Sequence, residues 1–287
     1  MIPFQVTRTL LAILCFCLVE KAYTQSVPDD LSSHPYFVNY WVSGSIIGVG
    51  AVANVLGIPQ SKSKKDISLD EIQSLNTSSI NSIDSWALRQ DPANITLFEN
   101  YSDYTIAVSV MLPGFLLFDK QIKRDWLDVL LMYAETMSIA PNIYEWTPLG
   151  PAFQNKFRPV TYYTQLTYDQ RKSEDNRNSF YSGHVATVAA STFFMVKVYS
   201  DYNPDVGNNK YLLYSAALVP PAILGYFRVK GLKHFPSDVL VGVGVGALVG
   251  VIVPELHRLD DRKISFGLFS APAGAGLALT WRPDIRD

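Results

Sequence analysis

Past residue 17 the chain has no cysteine: both of its cysteines, Cys15 and Cys17, lie in an N-terminal apolar run. Disulfide scaffolds, thiolate metal sites, iron–sulfur clusters and cysteine nucleophiles are thereby excluded from everything that follows. Charge is also scarce. Only 17% of the 287 residues are charged, and 24 Lys+Arg against 26 Asp+Glu leave a formal net charge of -2. A broad basic surface for nucleic acid is not available to such a chain. No repeat unit recurs and no low-complexity tract is present. Hydrophobic residues, at 48%, and a mean hydropathy of +0.10 make the chain too apolar for disorder. They also leave it too polar to consist wholly of membrane spans. The length fits one sizeable domain with extensions, or two small ones.

Residues 1–26 have the layout of a secretory signal: Arg8, an apolar stretch Leu10–Val19, then a small polar exit Ala22–Ser26. Ten apolar residues are short for a bilayer span, and an uncleaved anchor is the rival reading. Six later segments read as helices: Trp41–Ile58, Tyr104–Phe118, Trp126–Ala140, Val185–Val196, Tyr211–Phe227 and Val239–Val253. At about 15 residues, several lie between core helix and membrane span. The intervening stretch Pro59–Asp103 is polar and holds a capping-box pattern, Ser68 to Glu71. The tail Lys263–Trp281 alternates with a period of two about a Pro/Gly-rich turn, which predicts a small β-hairpin. The expected fold class is all-α, a bundle of about six helices with that hairpin appended. The expected divisions are 1–26, a helix with a polar connection over 27–103, a bundle over 104–256, and a tail over 257–287.

The chain has four histidines: His34, His184, His234 and His257. Two of them open apolar helices. His184 ends the run Ser179-Phe-Tyr-Ser-Gly-His, and His234 follows Arg228 by six residues and precedes Asp238 by four. Ser182 and Gly183 at a helix start offer outward N–H groups and a dipole that favours an anion. Arg158 and Arg228 present planar forks suited to phosphoryl oxygens. The spacing of His234 and Asp238 can bring a carboxylate to one imidazole nitrogen, which fixes the tautomer and leaves the other nitrogen nucleophilic. His184 is then a proton donor to a leaving oxygen. Together these residues describe a phosphoryl-transfer site that needs no metal. His34 and His257 have no such company, and Lys230 and Lys233 read as solvated loop charges. Gly242–Gly246, a Gly-Val-Gly-Val-Gly run, lacks the spacing of a phosphate loop and reads as a helix-packing surface.

These residues resemble the type 2 phosphatidic acid phosphatase (PAP2) and vanadium haloperoxidase superfamily, whose motifs are K-x6-R-P, P-S-G-H and S-R-x5-H-x3-D. Arg158-Pro159 resembles the end of the first motif. Tyr181-Ser182-Gly183-His184 resembles the second, and Phe227-Arg228 with His234 and Asp238 the third. The resemblance covers roughly Tyr104 to Glu255. It implies that His234 attacks phosphorus to give a phosphohistidine, that Asp238 orients it, and that His184 protonates the leaving group. Arg158, Arg228 and the Ser182–Gly183 amides would hold the phosphoryl oxygens, with no cofactor.

Three positions depart from the family pattern. Tyr181 replaces Pro, Phe227 replaces Ser, and Pro151 stands where the first motif has its Lys. Losing one electrostatic partner of this kind costs about 10²–10³ in rate. Lys156, two residues before Arg158, is the candidate replacement. The resemblance and the apolar helices imply an exported envelope phosphatase acting on a lipid phosphate or diphosphate. The site would be extracytoplasmic and the helices membrane-embedded. The alternatives are a soluble periplasmic acid phosphatase for small phosphate esters, a vanadate-dependent haloperoxidase, and a non-catalytic binder of anionic lipid headgroups. Counting crossings from a cleaved signal leaves the motifs on the inner side. Trp126–Ala140, with Asp128 and Glu135, is therefore the segment expected not to span.

Overall fold

The computed structural model describes residues 34–61, 63–258, 264–271 and 274–281. The segment 1–26 expected to be a signal lies outside the described residues, as does the bend of the tail hairpin. The described residues hold ten α-helices: α1 (Tyr40–Ser61), α2 (Leu69–Gln73), α3 (Ile95–Met111), α4 (Lys120–Arg124), α5 (Trp126–Trp146), α6 (Tyr168–Arg171), α7 (Gly183–Tyr202), α8 (Lys210–Ala217), α9 (Val219–Lys230) and α10 (Pro236–His257). The tail strands β1 (Ile264–Ala271) and β2 (Gly274–Trp281) pair antiparallel, with Ile264 opposite Trp281. This is the predicted hairpin.

Local chemistry explains most boundaries. The Ser68 hydroxyl accepts from the Glu71 N–H at 3.3 Å and the Glu71 carboxylate accepts from the Ser68 N–H at 2.9 Å, so the predicted capping box starts α2. Pro220 and Pro221 lack N–H donors, and the column α8–α9 divides just before them. Several helices run past the bounds that periodicity predicts: α7 covers Gly183–Tyr202 rather than Val185–Val196, and α10 covers Pro236–His257 rather than Val239–Val253. α3 starts at Ile95 rather than Tyr104; Glu99 and Asp103, which make this stretch look like a polar connection, line an open cavity beside its first turns. α5 continues through Pro141 to Trp146, past the proline that should have ended it.

The long helices alternate in direction. At one end Glu99 of α3, Tyr144 of α5, His184 of α7 and Arg228 of α9 share that cavity. At the other end the Phe37 N–H donates to the His257 carbonyl at 2.8 Å, Tyr36 donates to Asp201 at 2.5 Å and Tyr202 donates to Asp125 at 2.9 Å. Residues 34 and 258 therefore lie on the face away from the cavity. His34 and His257, unpartnered in sequence, find carboxylates there: Asp125 at 2.7 Å and Glu135 at 2.9 Å. α5 is a full member of the bundle. It runs parallel to α1, with Gly50 against Ser138 and Asn142 and Gly57 against Glu145.

α7 is the central helix, with Val185, Val188, Ala189, Ala190, Phe194 and Val198 wholly buried. α10 packs on it through glycines four residues apart. A Cβ on Gly242, Gly246 or Gly250 would lie 2.6, 2.1 or 2.4 Å from a carbonyl oxygen of α7, whereas one on Gly244 would meet nothing. The glycine run is thus a packing surface. Four stretches, Tyr40–Gly57, Pro92–Phe118, Pro204–Lys230 and Pro236–His257, are long and apolar enough to cross a membrane, and most of their residues face outward.

The glycine contacts predict opposite effects two residues apart. Gly246→Leu should lower stability by about 1–3 kcal/mol through overpacking against the α7 backbone. Gly244→Ala should raise it by about 0.5–1 kcal/mol by reducing the freedom of the unfolded chain. Thermal unfolding midpoints in detergent check both; equal midpoints for the two variants would contradict the packing.

Candidate active site

Backbone pairing draws the three motif segments together. Lys156 bridges Asn178, the Ser179 N–H donates to the Lys156 carbonyl at 2.9 Å, and the Arg158 N–H donates to the Asn176 carbonyl at 2.8 Å. The Val160 N–H reaches the Leu232 carbonyl at 3.2 Å, and the Ser182 N–H reaches the Asp238 carbonyl at 3.1 Å. They enclose a cavity of about 480 Å³ walled by Arg158, Gly183, His184, Arg228 and His234, with Glu99, Asp103, Asp175 and Lys233 among its charged lining. Ile106, Pro141 and Tyr144 line it from the bundle interior.

His234 is almost wholly buried, and its Nδ1 lies 2.6 Å from the Ser179 carbonyl oxygen. A carbonyl only accepts, so Nδ1 carries the hydrogen and Nε2 keeps its lone pair. The predicted partner was Asp238. Its carboxylate is 4.0 Å from Nδ1, because it is engaged elsewhere. It accepts from the Ser179 hydroxyl at 2.6 Å and from the Phe235 N–H at 2.9 Å. Asp238 thus steadies the carbonyl that sets the tautomer. Burial, followed by the positive charges of Arg228 and Arg158, holds the His234 imidazolium well below the ordinary histidine range.

Lys156 does not reach the cavity. Its ammonium donates to Asp238 Oδ1 at 2.6 Å and to Ser237 Oγ at 3.1 Å, and it sits 3.5 Å from Asp84 Oδ2. Two carboxylates on the far side of His234 outcompete the cavity for this cation, so the expectation that Lys156 fills the phosphate cradle is corrected. The Ser182 amide is corrected too, since its hydrogen belongs to the Asp238 carbonyl. The first bond within α7 runs from the Ala186 N–H to the Ser182 carbonyl, so the amides of Gly183 and His184 have no intrahelical acceptor. A Cβ on Gly183 would lie 3.2 Å from the Tyr144 ring, so any larger residue there would require the ring to give way.

The cations fit an anion. Arg158 and Arg228 are buried, and the Nε of each has no partner; the Ser182 hydroxyl is likewise buried and unpartnered. The Arg228 guanidinium otherwise donates to Ser102 Oγ at 3.3 Å. Asp175 takes both terminal nitrogens of Arg158. Where the family motifs have Ser and Pro, Phe227 stacks on Phe98 at 5.9 Å and Tyr181 meets Tyr144 edge-on at 5.3 Å. Among the described residues no three His, Cys, Asp or Glu side chains gather as metal ligands.

Several partners escaped the sequence reading. Ser179 stood in the quoted run, but its carbonyl carries no sequence signal. Asp84 lies in the polar connection, yet it accepts from Ser237 N–H at 2.9 Å and Oγ at 2.7 Å, capping α10. Lys233 was set aside as a solvated charge and lines the cavity. The connection as a whole docks on the site loops: Arg177 pairs with Glu71 at 2.7 Å, and Tyr163 donates to the Ala87 carbonyl at 2.8 Å.

Residues 130–261 match the family model described as PAP2 superfamily. Among solved structures the chain is similar to the first transmembrane PAP2 type phosphatidylglycerolphosphate phosphatase from Bacillus subtilis. Identity is 18%, with 77% of this chain and 98% of that chain covered, at a TM-score of 0.42. No curated protein matches.

The position of Lys156 has a measurable consequence. Lys156→Met should strand the buried Asp238 carboxylate and cost about 1–3 kcal/mol. The loss should appear as a lower unfolding midpoint, without a rise in the phosphate-ester concentration needed for half-saturation. A large rise in that concentration at unchanged stability would return Lys156 to the cradle.

Proposed function

We propose that this chain, whose residues 130–261 match the PAP2 superfamily model, is a membrane-embedded phosphatase acting on a lipid phosphate or lipid diphosphate through a phosphohistidine on His234. The observation that carries the reading is the convergence of two histidines and two buried guanidinium groups with unpartnered Nε donors on one cavity. Burying such donors is costly unless an anion engages them.

The steps follow from the side chains. Arg158, Arg228 and the Gly183–His184 amides hold the phosphoryl oxygens. His234 Nε2 attacks phosphorus while Nδ1–H stays on the Ser179 carbonyl. As the bond to the leaving oxygen breaks, that oxygen takes a proton from His184. Burial and then the Arg228 and Arg158 charges hold the His184 pKa down to about 3 in the empty site, so the bound phosphoryl anion has to raise it. Water then attacks the phosphohistidine and gives its proton to His184. The P–N bond breaks, and phosphate departs. Asp238 acts as a positioning residue through Ser179.

The lipid preference draws on Ile106 and Pro141 in the cavity wall and on the four apolar stretches, which also favour the embedded form over a soluble one. In this reading the cavity faces the extracytoplasmic side. Residue 34, on the face away from the cavity, then lies on the cytoplasmic side. A single cysteine placed at Asn76, exposed in the segment that docks near the cavity, should react with an impermeant maleimide added outside intact cells. Protection until the cells are lysed would reverse the orientation.

Hydrolysis of a long-chain lipid phosphate in mixed micelles should exceed that of a short soluble monoester and persist in EDTA. It should fall by about 10³-fold or more in His234→Ala. Since the His234 pKa is depressed, its neutral form persists as pH drops below 6.5. The acid limb of kcat/KM should therefore lie below the ordinary histidine value of 6.5. Equal rates in wild type and His234→Ala would falsify the covalent route.

A further inference from the structure

The phosphate cradle lacks a cation where the family's first motif has lysine: Pro151 occupies that position, and Lys156 is held by Asp238 and Asp84. The only other lysine or arginine in the cavity lining, among the described residues, is Lys233. It shares that lining with His184 and His234, and its charge is among those that disfavour the His184 imidazolium.

The backbone puts it there. Leu232 adopts φ = 58° and is fully buried. A left-handed conformation costs a residue with a Cβ about 1–2 kcal/mol, and strain of this kind gathers where geometry is functionally constrained. The Leu232 N–H donates to the Val229 carbonyl at 3.0 Å, and the Lys233 N–H donates to the Arg228 carbonyl at 3.0 Å. The chain thus doubles back on the end of α9, which brings Lys233 to the cavity wall beside Arg228. The Lys233 side chain is 26% exposed, and its ammonium lies 2.5 Å from Glu99 Oε1. Glu99, from the first turns of α3, also lines the cavity.

We propose that Lys233 is a phosphate-binding residue that supplies the missing cation, with Glu99 as a stand-in for the phosphate oxygen when the site is empty. The assignment rests on the phosphatase reading above. Substrate binding is then an exchange: a phosphoryl oxygen takes the Lys233 ammonium, and the Glu99 carboxylate swings to solvent. The same exchange operates at Arg158, which Asp175 holds. A partly exposed Lys–Glu pair is weak, whereas a phosphoryl group bound also by two buried guanidinium groups offers stronger charge-assisted bonds.

Orthovanadate inhibition and hydrolysis of a soluble monoester, measured on the full chain in detergent, test the proposal. Lys233→Met should lower kcat/KM by about 10²-fold and weaken orthovanadate by at least about 10-fold. Lys233→Arg should recover most of both. Glu99→Gln leaves Lys233 in place and should tighten orthovanadate by roughly 2–5-fold. That gain should vanish in the Lys233→Met background. The Glu99→Gln arm stands even if Lys233→Met fails to fold. Unchanged orthovanadate affinity in Lys233→Met or in Glu99→Gln, with hydrolysis still dependent on His234, overturns the role of Lys233 and leaves the phosphatase intact. A wild-type chain that neither hydrolyses the ester nor binds orthovanadate overturns both.

Discussion

One buried carboxylate organises the functional end of this bundle. Asp238 has no exposed surface, yet it accepts from Ser179, Phe235 and Lys156, while its own carbonyl accepts from Ser182. Those partners come from all three motif segments. An uncompensated charge in that position would be prohibitive, so the loops around it have little freedom to separate. The His234 imidazole is oriented at one remove, through the Ser179 carbonyl that this network immobilises. Asp84 extends the network into the polar connection by holding Ser237.

Around the cavity, charge is nearly balanced before any ligand arrives. Arg158, Arg228 and Lys233 face Glu99, Asp103 and Asp175, and two of the cations are already paired. Such pairing reduces the cost of burying guanidinium groups in an empty site. On the proposed reading, an anion would enter by replacing carboxylates rather than by filling a bare positive hole. The apolar lining residues Ile106 and Pro141 stand on the bundle side of the cavity and the charged ones at the loops and helix ends.

Features confined to one stretch of chain were legible in the sequence. The Ser68–Glu71 capping box, the period-two tail and the glycine run of α10 each depend on neighbours within a few residues, and each has the structure its spacing predicts. The motif residues His184, His234, Arg158 and Arg228 could be named because their spacing resembles a family, and they do share one cavity. Choices between distant partners were not legible. Lys156 could reach either a phosphate or Asp238, and only the pairing of residues 156–158 with 176–179 decides between them. Lys233 looks solvated until the left-handed turn at Leu232 is known. Glu99 and Asp103 disguise the start of α3 because charge in a sequence signals polarity, which a helix beside an open cavity carries as readily as a loop.

His184 and His234 stand at the starts of α7 and α10, the two helices that meet through Gly242, Gly246 and Gly250. Along the glycine face the α7 backbone comes close to the α10 backbone, and Ala190 packs beside Val249 and Val253, which fixes their register. The opposite flank of α10 exposes Leu240, Leu248 and Ile252. Surroundings acting on that flank, such as a thicker or thinner hydrocarbon layer, can tilt the helix pair as a unit while the separation of the two imidazoles stays constant. The outward-facing residues are consequently free to drift toward whatever lipid composition the host offers, and the reactive geometry is insulated from that adaptation.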